Sequence, residues 1–465
     1  MTIPVKPNEA ARVKTFYIES YGCQMNDYDA SFIAGVLRRS DYRRVDTPDE
    51  ADLILLNTCA VRDHAEARVL GRIGELRRVK MRRPGTRLAV AGCMAQRMGE
   101  AIARAAPHVD LVLGTDSYAR LPKLLEEFDA HGDPLVDIEV SATLTYGGVA
   151  EMTAWGRAFV SIMQGCNSFC TFCVVPITRG RERSKSPDEV VAEVATLREM
   201  GVRDVTLLGQ KVNAYREGGS DFTALLRRID REAPVPRVRF TSSHPRYFTS
   251  GLLDAMAECD SVCEHLHLPV QSGSLPVLRR MRRLYTPSWY LETVGRARER
   301  ITDLGLSTDI IVGFPGETDA DFEATLSLME TAEFDASFLF KYSPRPGTRA
   351  IDHGDTVPEP VKAERLERAL SLQKRLAERR NRRLLGRRFS VLIEGVNERG
   401  PGEWLGRMRT NKSVSLSSDR PLAAGEFAVA EIVACRGAGL VGTVVDEAPR
   451  ERAHAPLAAP VEVSG

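Results

Sequence analysis

Short apolar, β-prone runs alternate with helical patterns along most of this 465-residue chain, and this alternation limits the folds that it can adopt. Four such runs lie in the first segment, residues 13–128: KTFYIES, ADLILLNT, TRLAVAG and VDLVLG. Strands that alternate with helices predict a parallel sheet with helical crossovers. We therefore expect an N-terminal α/β domain, followed by a looser linker that begins HGDPLVDIEV.

The second segment, residues 152–383, contains six further strand candidates, each followed by a helical pattern: RAFVSIM, DVTLL, RVRFT, CEHLHL, STDIIV and DASFLFK. The first of these helices has clear ends, since Ser186 can cap it, Pro187 suits its first position and Gly201 ends it. Eight β/α units close a full barrel. Six units predict a partial (β/α)6 barrel that is open enough for a large substrate.

The third segment, residues 384–449, changes the pattern. Five short strand candidates follow one another, with Gly, Pro and Asn turns and no helical pattern between them: RFSVLIEG, EWLGRMR, KSVSL, EFAVAEIVAC and GLVGTVVD. This spacing is typical of a small antiparallel β-barrel of the oligonucleotide-binding (OB) type. The chain as a whole is predicted to be α/β, with three domains.

The sequence and its composition indicate the cellular compartment in which the protein works. The sequence shows neither the apolar region of a signal peptide nor a run of about 18 apolar residues, so we expect a cytoplasmic protein without a membrane span. In that compartment the nine cysteines favour ligation or catalysis over a disulfide framework.

The net charge of +1 hides a basic stretch from Val361 to Ser390, where eleven Lys and Arg accompany three Glu. Leu366, Leu370 and Leu376 form an apolar stripe there, so one face of the expected helix is structural. The cations either dock a polyanionic partner or form a merely solvated face. Their position next to the predicted barrel favours a nucleic acid.

Cys23, Cys59 and Cys93 each follow the end of a strand candidate in the first segment. The carboxyl ends of parallel strands share one edge of a sheet, and open α/β sheets bind ligands there. The three thiols therefore predict one site with a coordination position left open. The alternative is that they are small buried hydrophobes, as free cysteines often are.

Cys166, Cys170 and Cys173 form a CxxxCxxC loop after the first strand of the second segment, at the end where barrel enzymes place their chemistry. A ferredoxin-type site would need a fourth cysteine nearby. A three-cysteine iron–sulfur cluster with one open iron requires no missing ligand.

A structural zinc site at this loop would need a second pair of ligands. The candidates are Cys259 with Cys263, which is no obvious zinc knuckle, and His265 with His267, which suit packing or lining positions better. We expect Cys259, Cys263 and Cys435, which have no assigned role, to be buried hydrophobes.

The cysteine loop, with Phe172 before its last cysteine, resembles the cluster-binding loop of the radical S-adenosylmethionine (SAM) enzymes. The resemblance extends to the methylthiotransferase family of those enzymes. It is carried by ESYGCQMN, NTCAVR and AGCMAQ in the first segment, by GCNSFCTFCVVPITRGRERS, LLGQKVNAY, RFTSSHP, HLPVQSGS, DIIVGFPGET and FKYSPRPGTRA in the second, and by the third segment, which is similar to the family's TRAM domain. These motifs cover nearly the whole chain in the family's order.

The resemblance implies two [4Fe-4S] clusters. One is implied on Cys23, Cys59 and Cys93, where its open iron would hold the sulfur to be inserted. The other is implied on the CxxxCxxC cysteines, where SAM would bind and be cleaved to a radical. SAM would thus serve as methyl donor and as radical source, and the radical would remove a hydrogen atom from C2 of an adenine.

A pocket for SAM is also implied, lined by Phe172, Gln210, Gly313, Pro315 and Gly316. The glycines permit close approach of the backbone to a ligand. The run Gly-Phe-Pro-Gly (residues 313–316) is equally well interpreted as a simple turn.

The resemblance is strongest to the branch that methylthiolates N(6)-(dimethylallyl)adenosine at position 37 of tRNA, next to the anticodon. Implied partners are the tRNA anticodon loop, a low-potential electron donor such as flavodoxin or ferredoxin, and a sulfur source; we expect a monomer. Lys211 stands where the family usually has Asn, and Ile177 where an aromatic residue is common.

Three alternatives remain open. The chain could methylthiolate threonylcarbamoyl-adenosine in tRNA, or a ribosomal protein. It could also be a non-enzymatic iron–sulfur or zinc RNA-binding protein, although a purely structural site has no need for two incomplete cysteine triads.

Overall fold

The computed structural model describes residues 13–60, 63–144, 156–398, 400 and 402–446. These residues form two compact units. The first unit comprises the described residues up to 144 together with Ile177–Gly180, and the second comprises the others. The predicted core and the predicted C-terminal barrel therefore lie in a single unit.

The first unit is built on a six-stranded parallel sheet in the order β2-β1-β3-β4-β5-β6. Its strands are β1 Thr15–Ser20, β2 Arg43–Arg44, β3 Leu53–Thr58, β4 Arg87–Gly92, β5 Leu111–Leu113 and β6 Leu135–Asp137. Its helices are α1 Gln24–Arg39, α2 Asp63–Arg82, α3 Cys93–Met98, α4 Glu100–Ala105 and α5 Leu121–His131. Every residue of β3 is buried, as expected for a strand inside a parallel sheet.

Two strands of this sheet were not predicted. β2 is a pair of exposed arginines that carries no apolar pattern. β6 lies in the stretch that we expected to be a linker, yet it pairs in parallel with β5. The expectation of a loose linker from His131 onward is therefore wrong at its start, because a strand of only three half-buried residues gives too weak a signal.

The segment Ile177–Gly180 packs with the first unit, although the predicted boundaries place it in the second domain. The Thr115 hydroxyl donates to the carbonyl of Thr178 at 2.9 Å. Arg179 donates to both carboxylate oxygens of Asp29, at 2.5 and 3.3 Å. Both side chains of this ion pair are buried, so the segment is anchored by a charge pair that sequence patterns do not reveal.

The second unit begins with a partial barrel of six parallel strands, as predicted. Three strands form a sheet in the order β13-β10-β7 and three form a sheet in the order β14-β15-β16. A parallel bridge between Val238 and Val262 joins the two. The six strands are β7 Arg157–Ser161, β10 Asp204–Leu208, β13 Arg237–Phe240, β14 His265–His267, β15 Gly305–Val312 and β16 Ala336–Lys341.

Short strands and helices connect the six strands. The short strands are β8 Met163–Gln164, β9 Arg183–Ser184, β11 Arg216–Glu217 and β12 Ser220–Asp221. The helices are α6 Val175–Thr178, α7 Pro187–Glu199, α8 Phe222–Glu232, α9 Ser250–Glu258, α10 Leu275–Arg280, α11 Pro287–Arg300, α12 Asp319–Ala332 and α13 Glu359–Arg382. Ser186 caps α7 and accepts a hydrogen bond from Glu189 N, as the sequence predicted.

The chain ends in a closed five-stranded barrel with the strand order β17-β18-β19-β21-β20. Its strands are β17 Arg388–Val396, β18 Trp404–Met408, β19 Ser413–Ser417, β20 Phe427–Arg436 and β21 Gly439–Val445. All pairs are antiparallel except β19 with β21, which are parallel. All five predicted strands are present, and the barrel encloses its own apolar core.

Buried arginines join the partial barrel to this C-terminal barrel. Arg239 on β13 donates to the carbonyls of Met408 at 2.9 Å and Arg409 at 2.7 Å. Its Nε donates to Asp204 at 2.7 Å. Arg237, at the start of β13, donates to the carbonyl of Arg407 at 2.6 Å.

Arg409, which follows β18 of the C-terminal barrel, in turn donates hydrogen bonds to the partial barrel. Its guanidinium donates to Glu264 at 2.8 Å and to the carbonyl of Val262 at 2.7 Å. Asp204, Arg237 and Glu264 all lie at the amino ends of their strands. The C-terminal barrel therefore closes the amino end of the partial barrel and leaves the carboxyl end for the cysteine loop.

Among the described residues, no helix combines the length and the apolar character that crossing a bilayer requires.

We predict that Arg239→Ala lowers the free energy of unfolding of the second unit by about 3–5 kcal/mol, because it leaves the fully buried Asp204 carboxylate without its cation. The midpoint of urea denaturation measures the change. Arg231→Ala is the matched control, since Arg231 forms an exposed pair with Glu232, and we expect a change within about 0.5 kcal/mol. Equal midpoints for the two variants would contradict the prediction.

Candidate metal centres

The structure brings the three cysteines of the first unit to one edge of its sheet. Cys23 follows β1 and is the N-cap of α1, Cys59 follows β3 directly, and Cys93 follows β4 as the first residue of α3. β1, β3 and β4 are neighbours in the sheet, so the three strand ends are adjacent. This is the convergence that the sequence led us to expect, while the role of the thiols as ligands stays a prediction.

The surroundings of these thiols act on their pKa values in opposite directions. A hydrogen bond to Cys59 lowers the pKa of Cys23 to about 6. Burial raises the pKa of Cys93, and the nearby Arg179 guanidinium opposes that effect. Since the thiolate is the form that ligates metals, a buried cation next to the cysteines favours ligation.

Two buried asparagines hold the loop that carries Cys23. Asn26 accepts from the backbone N–H of Cys23 at 3.3 Å and donates to the carbonyl of Thr58 at 3.1 Å. Asn57 donates to the carbonyl of Asn26 at 2.6 Å. Sequence reasoning missed both residues, although each lies within three residues of a cysteine in the motifs QMN and LNT.

A glycine with positive φ precedes three of the six candidate cysteines. Gly22, Gly92 and Gly165 have φ angles of 144°, 100° and 82°, a region that side-chain-bearing residues rarely adopt. A Cβ on Gly92 would lie 2.3 Å from the carbonyl oxygen of Thr58. The turn into Cys93 therefore has no room for any other residue.

In the second unit, the CxxxCxxC loop follows β8 near the carboxyl end of the partial barrel. Cys166 Sγ accepts from the backbone N–H of Ser168 at 3.4 Å. Arg283 donates to Cys170 Sγ at 3.5 Å. Burial raises the pKa of Cys173 to about 12. A buried guanidinium thus lies beside this triad, as it does beside the first.

Gln210, which we predict to line the SAM pocket, contacts the cysteine loop directly. Its Oε1 accepts from the backbone N–H of Gly165, the residue before Cys166, at 2.5 Å. The next residue, Lys211, is buried, pairs with Glu182 at 2.8 Å and lies 4.5 Å above the ring of Tyr247. The departure from the family's usual Asn thus buries a fully paired cation.

The other predicted SAM-pocket residues pack closely together. Phe172 is half-buried against the apolar cluster that contains Phe314, and Pro315 is buried next to it. The N–H of Gly313 donates to Glu317 at 2.6 Å, and the N–H of Gly316 donates to Thr356 at 2.8 Å. The backbone N–H of Glu317 also donates to the carbonyl of Phe314 at 2.8 Å, so Gly-Phe-Pro-Gly (residues 313–316) forms a turn, and contact with SAM remains a prediction.

Two of the three remaining cysteines are buried as expected, whereas Cys435 is only half-buried. Cys259 and Cys263 are buried, and Cys435 packs against the core of the C-terminal barrel. His265 and His267 share one face of β14, and both contact the hydroxyl of Ser307, at 3.2 and 2.9 Å.

The donor set of both triads fits a [4Fe-4S] cluster. Within the described residues, no three Cys, His, Asp or Glu side chains converge closely enough to hold a single metal ion. A [4Fe-4S] cluster instead takes one cysteine thiolate on each iron that the protein ligates. Thiols grouped by threes, each group beside a buried guanidinium, suit such an anionic cluster.

Three protein-family models match successive parts of this chain. Residues 15–114 match an uncharacterized protein family, UPF0004, residues 160–329 match the radical SAM superfamily, and residues 382–445 match the TRAM domain.

Curated relatives cover most of the chain. Two of the most similar are named tRNA-2-methylthio-N(6)-dimethylallyladenosine synthase. The protein of Bacteroides fragilis is 44% identical over 86% of this chain and 89% of its own length. The protein of Porphyromonas gingivalis is 43% identical over 95% of this chain and 97% of its own length.

Among solved structures, the fold is similar to that of the radical S-adenosylmethionine methyltransferase TsrM from Kitasatospora setae, solved with cobalamin and a [4Fe-4S] cluster. The TM-score is 0.56 at 15% identity, and the match covers 72% of this chain and 77% of that one. At this identity the likeness concerns the fold alone.

We predict that Gly92→Ala removes about half of the iron bound after anaerobic reconstitution, because the new Cβ displaces the turn that positions Cys93. Iron analysis per chain measures this loss, about four of eight irons for two [4Fe-4S] clusters.

Gly132→Ala is the matched control. Gly132 ends α5 with a φ of 77°, and nothing lies within 4 Å of an added Cβ. Gly132→Ala also places a side chain at positive φ, in the milder left-handed helical region and without the clash, so we expect full iron content. Iron loss in both variants, or in neither, would contradict the assignment.

Proposed function

The chain belongs to the methylthiotransferase family of radical SAM enzymes, and we propose that it converts N(6)-(dimethylallyl)adenosine at position 37 of tRNA to its 2-methylthio derivative. The main support is the identity of 43–44% with relatives named for that reaction, over 86–95% of this chain. Their names favour this substrate over threonylcarbamoyl-adenosine and over a ribosomal protein. The arrangement of the cysteines in two triads supports an enzyme over a structural RNA-binding protein.

The cofactors are two [4Fe-4S] clusters and SAM. We assign one cluster to Cys23, Cys59 and Cys93, and the other to the three cysteines of the CxxxCxxC loop. Each group of three thiols would hold three irons of a bound cluster, and the fourth iron would be open to sulfur at the first triad and to SAM at the second. When bound, these groups supply the sulfur, the methyl group and the radical that an unreactive aromatic C–H bond requires.

The chain's own residues hold these groups in place and set their electrostatic surroundings. Asn26 fixes the backbone at Cys23, and Gln210 fixes the backbone just before Cys166. Arg179, held by the buried Asp29, places a positive charge at the first triad. Arg283 does the same at Cys170 of the second triad. Buried cations of this kind stabilise thiolates and the anionic clusters that they ligate.

The substrate of this reaction is tRNA, and the C-terminal barrel has the strand order of the single-strand-binding OB type. Fewer cations of the basic stretch from Val361 to Ser390 are available to RNA than its composition suggested. Eight of its eleven cations pair with carboxylates in the described structure: Lys362, Arg365, Arg368, Arg379, Arg380, Arg383, Arg387 and Arg388. We assign tRNA contact to the exposed Lys374, Arg375 and Arg382 on α13.

The remaining partners follow from the chemistry. We propose a cytoplasmic monomer that meets its tRNA in that compartment. A low-potential donor such as flavodoxin or ferredoxin supplies electrons, and a separate source renews the inserted sulfur.

We predict that tRNA from cells lacking this gene contains N(6)-(dimethylallyl)adenosine in place of its 2-methylthio derivative. Nucleoside mass spectrometry measures both. The wild-type gene should restore the derivative, whereas Cys59→Ala and Cys170→Ala should not. Persistence of the derivative in the deletion strain would refute the proposed function.

We predict that the triple variant Lys374→Ala, Arg375→Ala and Arg382→Ala flattens the salt dependence of tRNA binding. Each lost phosphate contact should reduce the slope of log K against log salt by about 0.7, hence by about 2 in total. Filter binding at several salt concentrations measures the slope.

The charge-matched control is the triple variant Arg77→Ala, Arg78→Ala and Arg104→Ala, which removes three exposed cations from the first unit. An equal loss of slope in both triple variants would mean that net charge, rather than α13, governs binding.

A further inference from the structure

The partial barrel exposes two aromatic rings on the face of β16 that points away from α13. Phe338 is 53% exposed and Phe340 is 43% exposed. The opposite face of the same strand packs against α13, where Ser337 donates to Gln373 at 2.6 Å. Since the helices cover the outside of the partial barrel, Phe338 and Phe340 lie on its concave side.

The neighbouring strands place polar groups on this same face. Asp309 pairs in register with Phe338, and His267 pairs with Ser307. His267 lies 3.5 Å from the carboxylate of Asp309 and 5.9 Å from the ring centre of Phe338. We call His267, Asp309, Phe338 and Phe340 the aromatic face.

Both ends of the aromatic face are defined by contacts already described. Toward the amino ends of the strands, the buried Arg239–Asp204 pair and the C-terminal barrel close the interior. Toward the carboxyl ends, Ile311 pairs with Phe340 and packs on the same apolar cluster as Phe172, which precedes Cys173. The aromatic face therefore continues, through Ile311, to the apolar cluster on which the cysteine loop packs.

We propose that the aromatic face binds the target adenine of the tRNA. A base that undergoes chemistry must leave its stack, and it loses stacking energy unless the protein supplies new planar contacts. Exposed aromatic rings provide such contacts, as they do for bases in single-stranded RNA. Phe338 and Phe340 are the exposed rings on this face.

Asp309 gives the face a means of orienting the base. The N(6)-(dimethylallyl) adenine keeps one N–H on its exocyclic nitrogen, and a carboxylate is a strong acceptor for that proton. His267 lies beside the same carboxylate and beside the Ser307 hydroxyl, which limits the carboxylate's freedom to turn. This inference rests on the proposed function for the identity of the base.

Binding of anticodon stem-loop RNA to the reconstituted full chain tests the proposal. The RNA carries N(6)-(dimethylallyl)adenosine at the target position. Phe338→Leu keeps an apolar side chain but removes the ring, and we expect binding to weaken about 5- to 150-fold, the range for loss of one stacked base. Phe338→Tyr, which keeps the ring, should bind within about twofold of wild type.

An otherwise identical stem-loop that lacks the target base is the matched control. With this RNA, wild type and Phe338→Leu should bind equally, because the partner of the ring is absent. Equal binding of the complete stem-loop by wild type and Phe338→Leu overturns the proposal, as does an equal loss with both RNAs. Weaker SAM binding by Phe338→Leu also overturns it, since the ring would then serve SAM.

Different experimental outcomes refute the role of the aromatic face and the proposed function. If wild-type enzyme yields no methylthiolated product from the stem-loop, the proposed function is refuted whatever Phe338 does. If product forms but the substitution affects neither binding nor the KM for the stem-loop, only the aromatic face is refuted. Iron content, measured alongside, should be the same in all Phe338 variants.

Discussion

Parallel strand pairing is the constraint on which both candidate metal centres depend. Because neighbouring parallel strands all run in the same direction, whatever follows each strand emerges at the same edge. In the first unit this brings Cys23, Cys59 and Cys93 to adjacent strand ends, although they lie far apart in the sequence. In the second unit the same rule places the cysteine loop above the open side of the partial barrel. Glycines with positive φ then turn the chain sharply into three of the cysteines.

The sequence predicted the elements whose patterns are strong and local. All six strands of the partial barrel, all five of the C-terminal barrel and the cap at Ser186 were found where expected. β2 and β6 were missed because a strand of two or three residues has no readable period. The candidate cysteines were identified by motif, whereas Asn26, Asn57 and Arg179 were not, since their roles depend on partners distant in sequence.

Composition alone did not predict how many cations of the basic stretch are paired with carboxylates. A stretch with eleven cations suggested a broad docking surface for RNA, but most of those side chains reach carboxylates of the partial barrel. The exposed pairs among them, such as Arg368 with Glu323, contribute little stability each. They nevertheless neutralise the helix surface and leave only a few cations exposed. Net charge counts residues, while recognition depends on which of them remain unpaired.

The buried contacts between Arg239 and the strand ending at Met408 have a consequence for how the protein is made. Arg239 and the carbonyl groups that it contacts lie about 170 residues apart in the sequence. During synthesis, the partial barrel therefore emerges before the carbonyl groups that accept hydrogen bonds from this guanidinium. A nascent or truncated chain would carry exposed, half-satisfied arginines at the open floor of its catalytic core. Domains usually fold in the order in which they emerge. Here a later domain completes the hydrogen bonding of an earlier one, so that a chain lacking the C-terminal barrel also lacks a finished core.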